Sequence, residues 1–111
     1  MKTLQDMTDR ELLELAAKAA GIELVWHGDT DPFCFAETVA GIKWSPLTDN
    51  GDALRLAVTL HLTVCVGLSG STTVTDAFRN PLAVIKHDND PDATTRRVIV
   101  RAAAEIGRNM K

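Results

Sequence analysis

Tyrosine is missing from this chain, and three Phe and two Trp make up all of its aromatic content. A core with so few rings must be built from aliphatic side chains and alanine, with Trp26, Trp44, Phe33, Phe35 and Phe78 as its large anchors. Trp26 is expected inside, and Trp44 partly exposed beside a helix entry. Cysteine is limited to Cys34 and Cys65, without CxxC spacing, which argues against a zinc ribbon or a dithiol redox motif. Apolar neighbours make buried thiols the expectation for both. No apolar run approaches the roughly 20 residues of a membrane helix, and no secretory leader is expected ahead of the first helix. A soluble protein of the host-cell cytoplasm, without membrane contact, is the resulting expectation. Charge is also unremarkable: a net −3 argues against a general nucleic-acid coat. Repeats and low-complexity segments are lacking, and 111 residues fit one domain over 1–111.

What is present is well-punctuated secondary structure. Thr8-Asp9-Arg10-Glu11 has the spacing of a capping box, and Gly21 that of a left-handed terminator, so a helix is predicted over Asp9 to Ala20. Ile22–Trp26 and Phe33–Val39 read as strands around a His27–Pro32 turn, followed by a short extended Ile42–Trp44. Pro46 bars an earlier helix start, and Asp49, Asn50 and Gly51 offer caps for a second helix over Gly51 to His61. Its expected core stripe is Ala53, Leu54, Ala57, Val58 and His61. Thr63–Val66, Thr72–Thr75 and Leu82–Lys86 are further strands, and a loop from Gly67 to Ser71 separates the first two. Asp90 and Pro91 then open a third helix reaching Asn109, with Val98, Ile99, Ala102, Ile106 and Met110 as its apolar stripe. The order α-β-β-α-β-β-β-α, with strands in groups, predicts an α+β fold: three helices on a small, mainly antiparallel sheet.

Motifs for chemistry are sparse. His27 lies near Asp29 and Asp31, and His87 near Asp88 and Asp90, which would suit a metal or a general base. The same residues compose ordinary surface turns, which is the preferred reading. His61 is expected to pack half-buried on the second helix. The Gly67–Ser71 segment lacks both a nucleophile elbow and a Walker lysine. No catalysis, cofactor or metal is expected.

The last helix carries a charge asymmetry. Arg96, Arg97, Arg101, Arg108 and Lys111 are basic, while Glu105 is the sole acid after Asp92. Three readings stand: a solvated face, a nucleic-acid-facing helix, or a surface for an acidic partner. That partner could be a second copy contributing Asp49, Asp52, Asp88, Asp90 or Asp92. Trp44, Arg96, Arg97, Arg101 and Arg108 are the candidate binding residues.

Two stretches, Trp44–Ala57 and Ala93–Gly107, resemble blocks that recur in small uncharacterised proteins encoded by tailed phages and prophages. Glu11–Gly21 fits the same pattern, and the three together span somewhat over a third of the chain. The layout of N-terminal helix, central Trp-x-Pro and C-terminal helix is also loosely similar to NinX-type phage proteins. The resemblance implies a phage-derived accessory protein that binds a host or phage protein without catalysis, modulating a host factor or a defence system. A homodimer is one arrangement of such a module, and nucleic-acid binding by the arginine helix is the alternative.

Overall fold

The computed structural model describes residues 6–28, 35–67 and 70–110. Thr8 Oγ1 accepts the Glu11 amide while Glu11 Oε1 accepts the Thr8 amide, closing the capping box at the start of α1 (Asp9–Ala20). Gly21 ends this helix at φ 73°, a conformation open to glycine without steric cost. The first sheet follows as an antiparallel meander of β1 (Leu24–His27), β2 (Phe35–Thr38) and β3 (Lys43–Trp44). Phe33 and Cys34 lie outside the described residues, as do Asp29–Pro32 of the expected turn, Leu68 and Ser69 of the later loop, and Lys111.

The Trp44–Asp52 segment is a folded entry to α2 (Asn50–Thr59). Ser45 O accepts the Thr48 and Asp49 amides, Asp49 Oδ2 accepts the Asp52 amide, and Asp52 Oδ2 reaches back to the Ser45 amide. Pro46 is fully buried and Trp44 only 7% exposed, so this turn plugs into the core. The expected roles of the two tryptophans are therefore exchanged. Trp44 is the inner one, while Trp26 is half-buried under the Arg10 guanidinium, 4.6 Å from the ring centre.

The second sheet is another antiparallel meander: β4 (Thr63–Val66), β5 (Ser71–Thr75) and β6 (Pro81–Lys86). Class and element order agree with the sequence reading, and the strands divide between two three-stranded sheets. α3 (Pro91–Arg108) is the organising element, packed against α1, α2, β5 and β6. Its middle is buried on nearly every side: Val98, Ile99, Val100, Ala102, Ala103 and Ala104 are all inside. A helix enclosed on several faces needs apolar residues all round, which a single-stripe reading understates. Leu12, Ala16, Trp44, Leu56 and Val74 join these residues in one continuous core.

Three further expectations are corrected. Phe78, proposed as a core anchor, stands 85% exposed at the tip of the β5–β6 hairpin. Cys65 is exposed because β4 alternates and turns that side chain away from α3. His61 is exposed at φ 55°, turning the chain out of α2, which ends two residues earlier than expected. Among the described residues no helix is long and apolar enough to cross a membrane.

Candidate functional site

The α2 sequence has more apolar residues than one helix face can hide. Ala53, Leu56 and Ala57 are buried against α3, while Leu54 and Val58 remain 63% and 66% exposed. The expected stripe assigned Leu54 and Val58 to the core. Leu54 instead lines, with Ala53 and Ala57 of α2, one wall of a groove of about 300 Å³, whose other walls are Val64 and Val66 from β4 and Thr95, Arg96 and Ile99 from α3. Val66 is itself 58% exposed. Asn50, Pro91 and Asp92 complete the rim.

This groove exists because β4 is an outer strand. Among the described residues, the sheet order β4-β5-β6 leaves one side of β4 without a partner strand, and Val64 and Val66 line the space between that strand and α2. The groove is therefore apolar along its length with a polar rim, suited to apolar side chains and to an extended backbone.

Behind the groove lies a hydrogen-bonded chain. Thr72 is fully buried on β5, and its Oγ1 meets His87 Nε2 at 2.6 Å and Thr95 Oγ1 at 3.0 Å. His87 is thus engaged with a threonine hydroxyl, whereas Asp88 and Asp90 serve the start of α3: Asp90 Oδ1 accepts the Ala93 amide, and Asp88 Oδ1 accepts the Asp90 amide. The chain satisfies a buried hydroxyl that would otherwise be costly. His27 Nε2 meets Glu37 Oε1 at 2.9 Å across β1 and β2, and Asp29 and Asp31 lie outside the described residues. Among the described residues no group of three or more His, Cys, Asp or Glu side chains is arranged to hold a metal.

The arginines of α3 are not gathered into one patch. Arg96 faces α2, where Nε donates to Leu47 O at 2.9 Å and Nη1 to Asn50 Oδ1 at 2.6 Å. Arg97 pairs with Asp9 at the start of α1, at 3.0 Å. Arg101 is half-buried, and burial, with Arg97 nearby, pushes its guanidinium below the ordinary arginine range while Asp9 opposes the shift. Arg108 pairs with Glu105 at 2.6 Å. Trp44 sits beneath the α2 entry, so its 7% exposure leaves little surface for a partner.

Sequence reasoning missed Val64, Val66 and Thr95 as groove residues. Strand order decides which of three similar strands is outermost, and β4 carries no local mark of it. The surplus of apolar residues on α2 was the one available signal. Comparison with protein-family models, curated proteins and solved structures gave no match.

Proposed function

We propose that this protein is a non-catalytic binding module that works through protein–protein contact, with the α2–β4 groove and the adjoining outer edge of β4 as its contact surface. The observation that carries this reading is the coincidence of a strand edge unpaired among the described residues with exposed Leu54 and Val66 on the same groove. Isolated exposed aliphatics are ordinary, but a connected set lining a concavity marks an interaction site. Trp44, by contrast, is buried, and Arg96, Arg97 and Arg108 have internal partners. The phage-derived accessory character, including action on a host factor or a defence system, rests on the sequence resemblance.

The test is affinity capture from a bacterial lysate with the wild-type chain and with Leu54→Asp, both checked for an unchanged circular dichroism spectrum. Loss of specific capture, or of self-association, in the variant is the expected result. Equal behaviour of the two chains would overturn the assignment of the groove.

A further inference from the structure

The edge of β4 has a defined hydrogen-bonding register. Its pairs with β5 are Thr63↔Thr75, Val64↔Val74, Cys65↔Thr73 and Val66↔Thr72, and the Gly67 amide donates to Ser71 O at 2.9 Å. Hydrogen-bonded pairs alternate along an antiparallel ladder, so residues 63, 65 and 67 direct their backbone groups to β5. Val64 and Val66 therefore turn their N–H and C=O groups to the open side. Leu62 cannot extend this row, because its amide is committed to Ala57 O at 3.0 Å.

The two outer edges of this sheet differ in how they resist pairing. β6 begins with Pro81 and ends with Lys86, and its ladder with β5 has an irregularity at Val74/Thr75. Proline, lysine and bulges are the usual devices that block edge-to-edge association. β4 is Thr-Val-Cys-Val, with no charge, no proline and no register shift in its pairing. An uncharged strand also meets no like-charge repulsion when it is paired with its own copy in antiparallel fashion.

Together these features point to a second copy of this chain as the occupant of the surface, joined by antiparallel β4–β4 pairing about a two-fold axis at Cys65. This inference rests on the reading of the groove as a contact surface. In this register Val64 of one protomer faces Val66 of its partner, twice, and all four outward N–H groups meet carbonyls. The result is a six-stranded sheet in the order β6-β5-β4-β4-β5-β6. The partner's β4 lies over the open side of the groove, where its inward valines cover Leu54. A register centred on Val64 would instead require the engaged Leu62 amide. An isologous contact of this type closes on itself and yields a dimer, not a filament.

The axis makes Cys65 a reporter. The two Cys65 residues form a non-hydrogen-bonded pair with Cα atoms about 4.5 Å apart, within the disulfide range of about 4.4–6.8 Å. Two Thr63 residues, on the same outer face, stand about 14 Å apart in the dimer.

The experiment is light scattering with chromatography from micromolar to near-millimolar chain, plus mild oxidative cross-linking in a Cys34→Ser background. The expected mass is twice 12.0 kDa, with a disulfide-linked dimer through Cys65 and none when Thr63→Cys is combined with Cys65→Ser. Val66→Pro removes one outward N–H per protomer and spares the β5 pairs, so it should abolish both dimer and cross-link. Leu54→Lys is the second variant if Val66→Pro does not fold, with the same loss expected. A monomer throughout, a dimer unaffected by either variant, or cross-linking through position 63 would overturn the proposal. A monomer whose lysate capture is still lost in Leu54→Asp removes the dimer and leaves the groove reading intact. A Leu54→Asp chain that changes neither assay removes both.

Discussion

Gly107 shows how much one residue can hold in this fold. A Cβ at that position would land on the backbone carbonyl of Leu15, so α1 and α3 approach through a glycine that no other residue can replace without movement. Alanine's better helix propensity, about 1 kcal/mol, cannot offset contact with main-chain atoms. Gly107→Ala should therefore destabilise by about 1–3 kcal/mol net, each kcal/mol lowering Tm by roughly 4–8 °C. Thermal unfolding followed by circular dichroism checks this, and an unchanged or raised Tm would contradict the close approach. Asp76 is a second single-residue device. It accepts the Phe78 amide at 2.8 Å, the Asn80 amide at 2.9 Å and the Asn80 side-chain amide at 3.1 Å. Chiefly the Asn80 backbone bond holds its carboxyl below the ordinary aspartate range. Because the folded value is the lower one, this contribution to the hairpin is complete above the unfolded-chain value and is lost as pH falls through the folded value. An NMR titration should place the Asp76 midpoint below the ordinary aspartate range, with the Phe78 and Asn80 amides shifting in step.

At the scale of elements, α3 does most of the joining. The arginines that make it look like a nucleic-acid helix are distributed to its neighbours: Arg96 to the α2 entry and Arg97 to the α1 start. Arg97 pairs across an exposed surface, where such contacts contribute little. Arg96 is different, because one planar guanidinium serves both a main-chain carbonyl and Asn50. Arg96→Ala should cost about 1.5–3 kcal/mol, the range for hydrogen bonds to charged groups. Arg96→Lys should restore only part of that, since a point charge cannot span both acceptors. Urea unfolding of the three chains measures it, and equal stability of Arg96→Lys and wild type would mean the fork geometry is immaterial.

For the molecule as a whole, the continuous core places Trp44 of the first sheet in the same cluster as Val74 of the second and Val98 of α3. Loss of either sheet would expose apolar surface on the other elements of that cluster. Tryptophan fluorescence, which reports the first sheet and the α2 entry, should therefore unfold in urea at the same midpoint as the far-ultraviolet signal. Separated transitions would show that the first sheet is an independent unit. A concentration-dependent midpoint would accompany the β4–β4 dimer, because association with a second copy stabilises by mass action.

The sequence alone determined the local structure. Thr8 with Glu11, Gly21, Asp49 and Asp90-Pro91 set helix ends through bonds made within a few residues, so their outcome needs no distant partner. Class and element order followed from these. The tertiary structure alone decided what each face touches. Trp44 went inside because the Ser45–Asp52 turn folds it under α2, and Phe78 went out because its hairpin extends beyond the core. Leu54 was left uncovered because β4 is the last strand of its sheet and nothing within the described residues pairs beyond it. Strand order and helix enclosure are long-range outcomes, fixed by which surfaces meet, and a short stretch such as Thr-Val-Cys-Val reads the same at an edge as in a middle.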